Sequence, residues 1–285
     1  MKSRACLYNP PLQGMTSYLQ MVDVAVEFGL ENIETLNVFE LKEPNVEFAH
    51  ELRRYADEKG IRFPCVSVGI NVVGDNHREI TEKLKKYADV ARVLGSPYLH
   101  HTIALECRNP EVIEKNRELY YQRGLAAVRE IYDYAAERGV RTVFEDQGYL
   151  FNGIESFGRF LDDVGRDVGV VADFGNIQFV DECAEDFIPS FADRIVNVHI
   201  KDYIAIPGGE ERDPKEFYSK GGRILRDCLF GEGIVNMEKG FAEVKKIGYE
   251  GTFAIECPPM GENQKESFRK NIALIDFYVN GGTQK

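Results

Sequence analysis

The sequence predicts an α/β fold, a single (β/α)8 TIM barrel over residues 1–285 with an extended loop after its seventh strand. Three observations predict it. Short apolar runs alternate with longer amphipathic stretches eight times along the chain, the pattern of parallel strands buried on both faces and joined by helices. The length of 285 residues sits within the ordinary range of such barrels. No linker rich in Pro, Gly or Ser divides the chain, and no G-x-G-x-x-G follows the first apolar run. The last point argues against an open, doubly wound dinucleotide-binding sheet.

The elements follow in order. Ala5–Tyr8 reads as the first strand, and Leu19, Val22 and Val26 then recur at helical spacing up to Gly29. Asn32–Leu36 is the second strand, followed by a helix over Asn45–Lys59 and Gly60. Ile61–Val68 is the third, made irregular by Pro64, which cannot donate to a ladder. Asn76 with Glu79 three residues on has the form of a capping box, opening a helix to Leu94. Pro97–Thr102 is the fourth strand. In the long helix after it, Tyr121, Leu125, Val128, Tyr132 and Ala135 share one face, and Gly139 ends it. Arg141–Asp146, Gly169–Phe174, Ile195–Lys201 and Thr252–Cys257 are strands five to eight, with helices of about 10–17 residues between and after them, the last over Asn263–Val279. About 35 residues, Tyr203 to Asn236, separate the seventh strand from its helix; a connection of that length is usually functional.

Composition excludes several function classes. Lys+Arg 35 against Asp+Glu 47 gives a net charge of −12, and no basic run exceeds Lys85-Lys86, so the surface repels phosphate backbones. Nucleic acid is therefore not an expected partner. The six scattered cysteines form no C-x-x-C pair and read as reduced thiols in a cytoplasmic protein. No signal-peptide-like or membrane-spanning apolar run is present.

In this architecture catalytic groups stand at the C-terminal strand ends. Strands five to eight each carry one polar residue there within an apolar run: Glu145, Asp173, His199 and Glu256. Each alone could cap a helix or sit hydrogen-bonded in the core. Four on consecutive strands would converge at one mouth, and burying them together requires a counter-charge. A divalent cation offsets three carboxylates and accepts one imidazole. Hard oxygen donors with one nitrogen favour Mn2+, with Mg2+, Co2+ or Zn2+ as competitors.

The order strand-Glu, then ADFGN, then VHIKD, then IEC on eight βα units resembles the xylose isomerase-like barrel superfamily, which includes ketose 3-epimerases, hydroxypyruvate isomerases and inosose dehydratases. The resemblance implies one divalent ion held by Glu145, Asp173, His199 and Glu256, with Glu145 and Glu256 also serving as acid and base on opposite faces of a sugar. The implied activity is isomerisation or epimerisation by removing a proton next to a carbonyl through a metal-stabilised enediolate. Loss of a β-hydroxyl after the same first step would make a dehydratase, and a catalytic subunit of a carbon–glycoside-cleaving complex is a further lyase alternative. Many epimerase members carry His three residues after the aspartate; this chain has Asn176, which donates a hydrogen bond without charge.

Substrate-binding candidates are His101, Gln147, Asn176, Lys201 and Asp202. His100-His101 places one ring toward the helices and one toward the mouth, and Lys201 either stabilises an oxyanion or pairs with Asp202 at the rim. Glu34 is read as a polar anchor facing the barrel interior, and His50 and His77 as solvated helix residues. Gly221-Gly222 and Gly231-Glu232-Gly233 make the long loop either a mobile lid or a set of ordinary turns. The expected partner is a small sugar or polyol. A homo-oligomer or partner subunit is compatible with the aromatic content. An apurinic-site endonuclease and a non-catalytic sugar-binding barrel are the competing classes; only five histidines are available for the metal cluster the first requires.

Overall fold

The computed structural model describes residues 3–105, 110–209, 213 and 216–282. Its strands are β1 (Ala5–Leu7), β2 (Cys65–Val68), β3 (Tyr98–His101), β4 (Arg141–Glu145), β5 (Gly169–Asp173), β6 (Ile195–Ile200), β7 (Tyr203–Ile206), β8 (Phe217–Tyr218), β9 (Ile224–Asp227) and β10 (Phe253–Ile255). Seven of them pair in the order β1-β10-β6-β5-β4-β3-β2, all parallel. The expected second strand, Asn32–Leu36, forms no continuous ladder. It is joined by single bridges, Leu7 with Ile33 and Thr35 with Val66. Backbone bonds from Leu7 N to Asn32 O (3.0 Å) and from Ser67 N to Thr35 O (2.8 Å) carry it across the gap between β1 and β2. The circuit thus closes, and the fold is the α/β TIM barrel.

The helices are α1 (Tyr18–Glu27), α2 (Val46–Glu58), α3 (His77–Leu94), α4 (Pro110–Ala136), α5 (Ile154–Val164), α6 (Ala184–Ser190), α7 (Met237–Lys246) and α8 (Gln264–Val279). Ser17, Asn45, Asn236 and Asn263 cap α1, α2, α7 and α8 by accepting from amides in the first turn. Asn76 does not: its backbone is not extended and its side chain makes no cap bond, so the expected capping box at α3 is absent. The helix α6, at seven residues, is shorter than its spacing predicts because Asn176–Val180 is spent on a 3-10 turn that turns the chain back after β5. His77 is only half-exposed, with Nδ1 3.1 Å from the Gly74 carbonyl; His50 is exposed, as expected. Among the described residues no helix is long and apolar enough to cross a membrane, and the cysteines are free; Cys107 lies outside them.

The described residues of the long connection include regular structure rather than an irregular loop alone. Among them is a three-stranded antiparallel sheet in the order β7-β9-β8, with Tyr203 opposite Asp227 and Phe217 opposite Leu225. Its side facing the barrel buries Tyr203 and Leu225 against Phe179 of the 3-10 turn.

Strand alternation sorts the residues of the wall. Leu99, Phe144, Val170, Ala172, Val198 and Ile200 belong to the main core between sheet and helices. Cys65, Val143 and Val171 form a separate cluster inside the lumen. Two residues further along the same faces come Ser67, Glu145 and Asp173, and His199 follows Asn197 in the same way. The polar groups therefore form a layer directly above the lumen's apolar floor.

Candidate metal centre

Glu145 closes β4, Asp173 closes β5, His199 stands near the end of β6, and Glu256 follows β10. The strand register places Asp173 opposite His199, and His199 opposite Ala254. Each of the four offers one ligand atom, and these atoms lie within 4.8 Å of one another. His199 Nδ1 is 3.0 Å from Glu145 Oε1 and 3.3 Å from Glu256 Oε2. Asp173 Oδ1 accepts the amides of Gly175 and Asn176, both at 2.7 Å, so the ADFGN turn itself aims the carboxylate.

Lys201 lies on the same face as His199. Its Nζ is 2.5 Å from Glu256 Oε1 and 3.8 Å from Asp173 Oδ2, and it donates to Asn176 Oδ1 at 3.0 Å. It does not pair with Asp202. Gly175 makes room for it: a Cβ there would stand 3.0 Å from the Cβ of Lys201.

These groups perturb one another strongly. Burial pushes the Asp173 carboxyl well above the usual carboxylate range, with Lys201 opposing. Burial acts the same way on Glu256, but Lys201 and then His199 outweigh it and hold that carboxyl well below its usual range. For His199, burial disfavours the charged ring, yet Glu34, Glu145 and Glu256 together raise it well above an ordinary imidazole. Glu34, buried among cationic and hydrogen-bonding partners, is brought down to about 2 by His199 despite its desolvation.

A cation fits this donor set. Three carboxylates and one imidazole converge, Lys201 is the one ammonium that reaches them among the described residues, and Asp173 Oδ2 is buried with no hydrogen-bond partner. Hard oxygens plus one nitrogen suit a divalent ion of the Mg2+, Mn2+ or Zn2+ type.

A cavity of about 260 Å³ opens beside Glu256 and Lys201. Gln147 and Asn176 line it, with Tyr149 and Phe179 on one wall. The antiparallel insertion contributes Tyr203, Glu216, Phe217, Tyr218 and Asp227. Since Lys201 can only donate, it fixes the Asn176 amide with its oxygen toward Nζ; Asn176 Nδ2 is then a buried donor with no protein partner.

Two expected substrate residues stand elsewhere. The His101 ring packs edge-on against Phe144, 5.0 Å between centroids, and bonds its own strand through the Thr102 carbonyl. It lies behind the wall, and its partner in the doublet, His100, faces the lumen, 3.0 Å from Ser67 Oγ and 3.7 Å from Glu145 Oε2. Asp202 is fully buried and accepts the amides of Tyr203, Gly231, Gly233 and Val235 at 2.9–3.0 Å, which makes it an anchor of the insertion. The sequence places one ring of the His100-His101 pair at the mouth without saying which, and does not single out Ser67, Asn197 or Tyr8, whose ring lies 4.8 Å from that of His199. Strand parity is the signal that finds them: each is an even number of residues from a lumen position on its own strand.

Comparison with known proteins agrees with this architecture. A xylose isomerase domain protein from Planctomyces limnophilus superposes with a TM-score of 0.76 at 17% identity, covering 98% of this chain and 97% of the other. The D-psicose 3-epimerase of Clostridium cellulolyticum H10, solved with D-tagatose, gives 0.74 at 16% identity over 98% and 99%. The IolI protein, solved with a bound zinc atom, gives 0.73 at 17% identity over 100% of both chains. At these identities the likeness is one of fold. A search of curated protein sequences finds no match. With the barrel closed, and with residues 22–277 matching the family model, the chain belongs to the xylose isomerase-like TIM barrel family.

Proposed function

We propose that the protein is a divalent-cation-dependent isomerase or epimerase of a keto sugar or related polyol, removing a proton from the carbon next to a carbonyl. The observation that carries this reading is the meeting of Glu145 and Glu256, from β4 and β10, at one imidazole nitrogen of His199, beside a cavity lined by hydrogen-bonding groups. Glu145, Asp173, His199 and Glu256 would hold the cation, and Mn2+ is the first ion to test. When bound, it supplies Lewis-acid polarisation of a substrate carbonyl and its neighbouring hydroxyl.

The chain's own groups do the rest. Glu256 lines the cavity and is kept ionised by Lys201, so its carboxylate is available to take a carbon-bound proton. Lys201 lies against the same carboxylate and favours negative charge developing on the substrate. The Nδ2 of Asn176, with its orientation set by Lys201, offers a neutral donor to a substrate oxygen, and Gln147 offers an amide on the same wall. Glu145 lies deeper in the lumen, between His100 and His199, and is the second proton carrier. Two carboxylates acting in turn give an epimer; one carboxylate moving the proton between neighbouring carbons gives an aldose–ketose isomer.

The test is exchange of the carbon-bound hydrogen with D2O across a panel of ketoses and inososes, with Mn2+ present and removed. Exchange should require the cation and disappear in Glu145→Gln and Glu256→Gln. Exchange that persists unchanged in both variants would rule the mechanism out. Product analysis separates epimer, isomer and dehydrated product.

A further inference from the structure

His199 has two ring nitrogens, and only Nδ1 faces the ligand cluster. The other, Nε2, is 2.9 Å from Oε1 of Glu34, a residue on the bridging 32–35 segment with no solvent exposure. Glu34 is held on both oxygens. Oε1 also accepts from the Ser67 hydroxyl, and Oε2 accepts from Asn197 Nδ2 at 2.8 Å. Its three partners come from two strands, Ser67 from β2 and Asn197 and His199 from β6, so the carboxylate is held from both sides.

Burying a carboxylate this completely is costly unless its partners all donate to it. Here they do. Ser67 has one hydroxyl proton, given to Glu34, so the 3.0 Å contact between Ser67 Oγ and His100 Nδ1 is a bond that His100 donates. The chain runs His100 to Ser67 to Glu34, with His199 Nε2–H arriving from the opposite side.

We infer that Glu34 is a positioning residue: when a cation takes the place of the proton that His199 Nδ1 shares with Glu145 and Glu256, Glu34 keeps the remaining ring proton on Nε2 and so presents the Nδ1 lone pair to the ion. This rests on the cation reading given above. Glu34 also converges with His100 and His199 in a second set of ligand atoms, but both its oxygens are engaged by Ser67, Asn197 and His199, which suits it to support the imidazole. A carboxylate behind a ligating imidazole fixes the ring's tautomer and orientation and makes the free nitrogen a stronger donor, and losing it weakens metal binding about 10- to 100-fold.

Zn2+ titration by calorimetry of the wild type, Glu34→Gln and Asn197→Ala tests this, together with the His199 Nε2–H signal in 15N NMR of the Zn2+-loaded proteins. The expected result for Glu34→Gln is affinity about 10- to 100-fold weaker, with the Nε2–H signal lost or strongly shifted. Asn197→Ala removes one of the Glu34 donors and is expected to show a smaller loss in the same direction; it decides the matter should Glu34→Gln not fold. A variant that folds, binds Zn2+ as the wild type does and keeps the same Nε2–H signal overturns the inference. A wild type that takes up neither Zn2+ nor, titrated in the same way, Mn2+ overturns the cation reading and the inference with it.

Discussion

Lys201 and Asp202 are consecutive residues that work on opposite sides of the barrel wall. The ammonium of Lys201 enters the lumen and reaches Glu256 Oε1 at 2.5 Å. The carboxylate of Asp202 points away and gathers four backbone amides, among them those of Gly231 and Gly233. One dipeptide at the end of β6 thus ties the site and the insertion to the same strand end, and substitutions at the two positions should separate cleanly by phenotype.

Replacing Lys201 with Met should remove the ion pair without removing bulk. Breaking a buried pair by deleting one partner costs about 3–5 kcal/mol; because Glu256 remains partly open to the cavity, the lower end is expected. Turnover should fall about 10²- to 10³-fold, the range for loss of one group that stabilises developing negative charge. Thermal melts and initial rates on the same preparation check both. A Met variant with near-normal rates would show that Glu256 needs no cation beside it.

Asp202→Ala should leave the amides of Gly231, Gly233 and Val235 without their acceptor, at a cost on the order of 3–5 kcal/mol. The loss should concentrate in residues 203–236, read as faster hydrogen exchange there, while Zn2+ affinity stays at the wild-type value. Gly233→Ala should behave alike, since a Cβ would stand 2.3 Å from Asp202 Oδ1. Equal exchange in both proteins would deny Asp202 this role.

The second anchor of the insertion should respond to acid. Asp181 accepts from the Gly221 amide and from Arg223, and although burial raises its carboxyl, bonds from Ser219, Gly221 and Arg223 leave it below the usual range. A carboxyl depressed on folding contributes stability above its unfolded value, near 3.9, and loses it as pH falls through the lower folded value. Limited proteolysis of the 219–223 turn should therefore accelerate below about pH 4, and Asp181→Asn should show the accelerated rate already at neutral pH. A pH-independent cleavage rate down to pH 3 would contradict it.

Cation binding should be visible as stability. An ion at about 100 times its Kd adds about 2.7 kcal/mol to a protein that binds it only when folded, a Tm rise of roughly 5 °C at this chain length. EDTA should reverse the rise, and Asp173→Asn should abolish it. Melting curves with and without Mn2+ decide the point.

Much of this was readable from residue order. The eight apolar runs give the barrel, and the polar residues closing runs five to eight give the cluster, because strand ends share one rim. Doublets were harder. Glu145-Asp146, His100-His101 and Lys201-Asp202 each offer two polar residues, and only alternation along the strand tells which enters the lumen. Leu99 packs with the helices, so His101 follows it there and His100 goes inward. The insertion escaped because its strands are only two to four residues long, too short for period-two patterning to stand out. Asn32–Leu36 holds the expected place of the second strand between β1 and β2, although its ladder is reduced to single bridges.

The antiparallel insertion is fastened by Asp202 from the end of β6 and by Asp181 from the turn after β5, while the residues that face the cavity, Phe217 and Tyr218 among them, lie between those fasteners. It is a cassette with its clips on the chassis. Swapping the stretch between the clips exchanges one cavity wall without touching any of the four convergent side chains, so the lining can vary while the cluster beneath it stays the same.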